Sequence, residues 1–131
     1  MKVDGYQSVM EQVNKSRIPA MIKRVVAIML DKKAEKVVTL KLKGINRITN
    51  FMVICTGNSS RQNHAIYKEI QEELKKEMKR RAFSVEGLKN AEWILMDYID
   101  FIVHVFLPEV REKYLIEKLW MDAKRYDFYP D

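Results

Sequence analysis

A chain of 131 residues, 47% hydrophobic and 32% charged, is one soluble globular domain, long enough to bury a core without disulfides or metals. Its 24 Lys and Arg against 18 Asp and Glu give a net charge of +6, a mild bias towards an anionic partner such as RNA or a ribonucleoprotein. The single cysteine, Cys55, excludes an internal disulfide or a multi-cysteine zinc site, no apolar run reaches the roughly 18 residues of a membrane span, and the N-terminus resembles neither a secretory signal nor a transit peptide, so a cytoplasmic protein with no membrane contact is expected.

Residues 1–17 are polar and without clear periodicity, and read as a tail or a weak first helix. Pro19 suits the first turn of a helix, and Ile22, Val25, Val26, Met29 and Leu30 then form one apolar stripe that carries the helix to about Lys33. Lys36–Leu42 alternates, with Val38, Leu40 and Leu42 on one face and Val37, Thr39 and Lys41 on the other, the pattern of a half-covered strand. Gly44 and Asn46 mark a turn. Phe51–Cys55 is short and continuously apolar, which predicts a central strand buried on both faces.

Thr56–Ser60 breaks that strand, and Ser59 with Gln62 has the spacing of a capping box, so a helix starts here. Ile66, Ile70, Leu74 and Met78 form its narrow apolar stripe, and the helix ends near Arg81. Lys75, Lys76, Lys79, Arg80 and Arg81 crowd that end. They read first as a solvated run complementing the helix dipole and second as an RNA contact. Phe83–Asn90 is a connection. Trp93–Met96 and Phe101–Phe106 are apolar and β-branched and flank the reversal Asp97-Tyr98-Ile99-Asp100, which predicts a hairpin. Pro108 opens a last helix in which Val110, Tyr114, Leu115, Leu119 and Trp120 pack inward, and the aromatic tail lies against the body. The order α-β-β-α-β-β-α predicts a mixed sheet flanked by helices, with a parallel crossover from Phe51–Cys55 to Trp93–Met96.

No metal or cofactor is expected. His64 and His104 are 40 residues apart, without ligand spacing, and an apolar strand hides Cys55 as a core residue. Thr56–Arg61 resembles a phosphate-binding turn but lacks the second glycine and the lysine of a P-loop. The strand, Gly-Asn-Ser turn and helix also resemble the opening of the nucleotidyltransferase fold, whose enzymes need paired carboxylates for metal-assisted transfer. Asp97 and Asp100 are the hairpin's acidic pair and suit a turn better than two metals. Trp93, Leu95 and Asp97 share one face of their strand, and Ile102, His104 and Phe106 share one face of theirs. Two readings stand here: Trp93 and His104 as core with Asp97 as a turn former, or an interface anchored by the tryptophan.

The stretch WILMDYIDFIVHVF, followed by REKYLIEKLWMDA, resembles the ribosomal silencing factor family, also called Iojap. Asp31–Glu35 (DKKAE), the Leu40–Leu42 strand, Phe51–Ser59 (FMVICTGNS) and the Arg61-Gln62 helix opening look like the same family's pattern, over about Ile22 to Ala123. The resemblance divides the chain into an N-terminal tail or weak helix (1–17), a family-like domain (18–123) and a C-terminal tail (124–131). It implies an α/β, nucleotidyltransferase-like fold without the catalytic carboxylates and a non-enzymatic repressor of translation. Such a protein binds the large ribosomal subunit through ribosomal protein L-fourteen, blocks joining of the small subunit, forms homodimers when free, and reads no nucleic-acid sequence directly. By matching position, Trp93, Leu95, Asp97, Tyr98 and His104 form the contact surface, with Arg111 and Tyr114 at its edge or supporting it. Where the family commonly has glycine in the hairpin turn this chain has Ile99, and a β-branched residue predicts a different turn geometry.

Overall fold

The computed structural model describes residues 5–45 and 47–129; Asn46 of the expected turn lies outside them. In chain order the elements are helices α1 (Gly5–Lys15) and α2 (Ala20–Asp31), strands β1 (Glu35–Lys41) and β2 (Phe51–Thr56), helix α3 (Ser60–Met78), strands β3 (Ser84–Glu86), β4 (Trp93–Asp97) and β5 (Phe101–Phe106), helix α4 (Pro108–Tyr114), a 3-10 segment (Ile116–Trp120) and strand β6 (Lys124–Phe128). One mixed sheet results, ordered β3-β4-β5-β2-β1-β6. The fold is the expected α/β class.

Every residue of β2 is buried, because β2 lies between β1 and β5 and both of its faces are covered. On one face Val53 and Cys55 join Ile94, Met96, Val103 and Val105 beneath the apolar stripes of α1, α2 and α3. Each such side chain contributes roughly 1.5–3 kcal/mol by leaving water, so this layer is the main source of stability. On the other face Met52 and Ile54 join Val38, Leu40, Leu42 and Phe106, with Val110, Ile116 and Trp120 packed against them.

Several expectations are corrected. The parallel partner of β2 is β5, in register Phe51↔Phe101 to Thr56↔Phe106, and β4 lies one place further out, antiparallel to β5. The crossover therefore does not end beside β2 on Trp93–Met96, because β5 inserts between them. β1 is covered on both faces, with Thr39 as buried as Val38, since β6 pairs along its outer edge and the helices cover the Thr39 side. Residues 83–90 hold a short edge strand, β3, paired with β4. Of the two readings of the N-terminus, the helix is the one observed, and it buries Val9 and Val13. In the last helix, Leu115 adopts φ +46 and stops α4 after seven residues. The helical repeat is lost there, so Tyr114, Leu115 and Leu119 are exposed and Ile116 takes their place against the sheet.

At the start of α3, Ser59 Oγ accepts from the Gln62 amide at 3.0 Å, as the capping box predicts. Gln62 Oε1 accepts from the Asn58 amide, one residue upstream of the usual partner, and its Nε2 donates to the carbonyls of Lys32 and Lys33. The turn that resembles a phosphate loop thus closes on its own cap. The helix ends at Met78 with Lys79 in the left-handed conformation.

The hairpin turn uses the positive φ that a β-branched residue resists, against the different geometry expected from Ile99. Ile99 has φ +75, and the Asp100 amide donates to the Tyr98 carbonyl across it at 3.0 Å, which makes a γ-turn of the rare positive-φ kind. Asp97 Oδ1 accepts from the Ile99 amide at 2.8 Å, and Arg80 holds the Tyr98 carbonyl at 2.8 Å and Asp100 at 2.6 Å. These bonds hold the exposed, strained residue in place. Because a left-handed conformation costs a β-branched residue about 1–2 kcal/mol and glycine gives back part through its unfolded-state entropy, Ile99→Gly is expected to stabilise the protein by about 1 kcal/mol. Urea denaturation checks this, and a destabilised variant would show that the turn is not strained.

Candidate docking face

The register places Trp93 opposite Phe106, Leu95 opposite His104 and Asp97 opposite Ile102, so both predicted half-faces lie on the same side of the sheet, away from α1, α2 and α3. α4 and the 3-10 segment cover only part of that side. Trp93, Leu95, Asp97 and Ile102 are left half-buried, a strip of three apolar side chains ending in a carboxylate.

Trp93 is fixed on three sides. Its ring packs 4.8 Å from that of Phe106 and 5.0 Å from that of Tyr114, and its Nε1 donates to His104 Nδ1 at 2.9 Å. A tryptophan held in one orientation with an open flank has the form of an interface anchor, since little freedom remains to be lost on contact. His104 is only 4% exposed, and burial lowers its pKa to about 4. The imidazole is therefore neutral, and the bond from Trp93 places its proton on Nε2. His104 acts through Trp93 and presents no polar group at the surface, contrary to expectation.

Tyr98 is corrected more strongly. One residue beyond Asp97 the strand alternation turns it to the helix-covered side, where it stacks on Phe101 at 4.7 Å and is 1% exposed. Burial pushes its phenol up to about 12. Tyr98 is core and cannot touch a partner on the strip.

Arg111 is a buried cation within α4. It is 7% exposed, and Nη1 donates to the Lys36 carbonyl at 2.6 Å and to Thr56 Oγ1 at 2.9 Å. Nε and Nη2 form a fork on Glu117 at 3.0 and 3.2 Å. One guanidinium so ties α4 to β1, β2 and the 3-10 segment, and α4 in turn holds Tyr114 beside Trp93. A groove of about 370 Å³ continues the strip between the β3–β4 connection and α4, lined by Leu88, Trp93, Val110 and Tyr114 with Lys89 and Lys113 at its rim.

Sequence reasoning left Ile102 outside the site, although the predicted face-sharing with His104 pointed to it; only the register opposite Asp97 completes the strip. The chemistry-bearing residues stay apart. His64 is exposed on α3 and His104 lies beyond the sheet from it, and among the described residues no three His, Cys, Asp or Glu side chains are grouped to hold a metal. Cys55 is buried, its thiol pushed up to about 12 by desolvation, as a core residue should be. Among the described residues no helix is long and apolar enough to cross a membrane.

The architecture and its half-open face define an α/β protein of a recurring kind. A crystal structure of a Chromobacterium violaceum protein superposes with a TM-score of 0.74 at 33% identity, over 80% of this chain and 87% of that one. Residues 15–130 match the family model RsfS, ribosomal silencing factor during starvation, and this chain belongs to that family. Ribosomal silencing factor RsfS of Halalkalibacterium halodurans is 47% identical over 96 residues, 71% of this chain and 79% of its own. The protein of that name from Bacillus subtilis is 40% identical over 93 residues, 71% of this chain and 78% of its own.

Proposed function

We propose that this protein is a non-catalytic repressor of translation in the cytoplasm, which docks on the large ribosomal subunit through ribosomal protein L-fourteen and blocks joining of the small subunit by occupying its place. The observation that carries the reading is the strip of Trp93, Leu95, Asp97 and Ile102 on the uncovered part of the sheet, with its tryptophan clamped in one orientation. Trp93 and Leu95 supply apolar contact, Asp97 sets the register at the strip's end, and Tyr114 extends the aromatic surface. His104 and Arg111 hold these groups from beneath. The free protein forms a homodimer, which covers apolar surface when no ribosome does.

Co-sedimentation with purified large and small subunits, separately, tests the reading. The protein is expected with the large subunit alone, and Trp93→Ala should weaken binding roughly thirtyfold, the equivalent of about 2 kcal/mol. Leu95→Glu buries a charge in the same contact without removing a ring from the fold, and should match or exceed that loss. Sedimentation with the small subunit alone, or full binding by both folded variants, would overturn the assignment.

A further inference from the structure

At the β3 margin of the sheet, next to the strip's own β4, the end of α3 lies beside the edge strand β3. Phe83, between them, is 75% exposed. It borders a groove of about 570 Å³ whose lining includes Gln71, Glu72, Lys75, Arg81 and Ser84. The helix dipole accounts for Lys75 and Lys76, which lie in the last turn, but not for Lys79 and Arg81 beyond it. Arg80 is engaged by Tyr98 and Asp100, and Glu77 is neutralised by Arg24. Lys75, Lys79 and Arg81 form no ion pair among the described residues. Lys79 moreover occupies, at φ +53, the helix-ending position where glycine is cheapest.

In this groove Lys75 and Arg81 outnumber the single carboxylate, Glu72, and Lys79 follows on the same chain end; an excess of cations beside an open aromatic ring matches a nucleic acid strand, which offers phosphates to the cations and a flat base to the ring. An acidic peptide would satisfy the charges and leave the ring bare. We infer that the C-terminal end of α3 with Phe83 is a single-stranded RNA contact, in which Lys75, Lys79 and Arg81 track the phosphates and one base stacks on Phe83. The Phe83 amide donates to the Asp97 carbonyl at 2.7 Å, so this contact lies at the β3 edge, on the α3 side of the sheet, and Asp97 ends the docking strip on the opposite side. Only the identity of the RNA, that of the large subunit, rests on the proposed ribosomal role; recognition of a free strand does not.

The probe is a fluorescent twelve-nucleotide oligouridine titrated with the full chain and followed by anisotropy. With three phosphates engaged, affinity should fall roughly twentyfold between 50 and 200 mM salt. Lys75→Glu, Lys79→Glu and Arg81→Glu together should abolish binding, Phe83→Ala should weaken it roughly tenfold, and Phe83→Trp should restore it. All four positions are exposed, and circular dichroism checks that the variants fold. Trp93→Ala should leave oligouridine binding unchanged, which separates a failure here from a failure of docking. No binding at 50 mM salt, binding that survives the triple charge reversal, or equal binding of polyglutamate with no response to Phe83→Ala would overturn the RNA contact.

Discussion

Arg111→Met is expected to destabilise the protein by about 3 kcal/mol, because removing one member of a buried ion pair strands the other. Glu117, with a side chain 13% exposed, would lose both bonds of the fork and keep only Arg125 at 3.7 Å. Thr56 and the Lys36 carbonyl would lose their donor as well. Arg125 is why the lower end of the usual range applies. The melting temperature should drop by about 10 °C. Replacing both partners, Arg111→Met with Glu117→Leu, should recover more than half of the loss, since an apolar pair has no charge to solvate. A single variant within about 1 kcal/mol of wild type would show that the guanidinium is not what joins α4 to the strand ends.

Acid should act through His104. Its pKa is near 6.5 when unfolded and about 4 when buried, so between those values the unfolded chain binds a proton that the folded protein refuses. Above pH 6.5 both states are neutral and stability is unaffected; as pH falls towards 4 the unfolded state gains, and about 3 kcal/mol is lost. The geometry agrees with the sign. A proton on Nδ1 would face the Trp93 N–H, turning an acceptor into a second donor, and would free the indole that His104 orients. Urea midpoints measured at pH 7, 5.5 and 4.5 for wild type and His104→Gln provide the comparison, because glutamine keeps an acceptor and does not titrate. The wild type should lose stability relative to the variant at each step, and parallel curves would show that His104 is not the group responsible.

The strong periodic segments are legible in the chain. The stripe from Ile22 to Leu30, the run Phe51–Cys55 and the hairpin runs all fold as their patterns predict, because each has one way to bury its apolar atoms. What escapes is decided between segments. Thr39 reads as a solvent-facing residue until β6 and the helices close over β1, and the partner of β2 depends on β5 inserting where β4 was expected. Three-residue β3 is too short for any alternation to show. At the candidate site, alternation correctly joins Trp93, Leu95 and Asp97, and the same alternation should have removed Tyr98, its immediate neighbour, from the surface. His104 could not be assigned to surface or interior from sequence, since its burial rests on a hydrogen bond across to β4. At Ile99 local preference pointed away from the turn actually formed; Asp97, at the end of β4, and Arg80, in the segment after α3, outweigh it.

The central pairing of the sheet also sets an order of events during synthesis. β2 meets its antiparallel partner β1 as soon as both are made, but its parallel partner lies about fifty residues later in the chain. Until β5 emerges, a strand whose every residue ends buried carries an open backbone edge, the feature that recruits other chains into aggregates. A nascent or truncated chain that stops before Phe101 is therefore a different hazard from a full chain with a weakened surface: it lacks the strand that makes Phe51–Thr56 an interior.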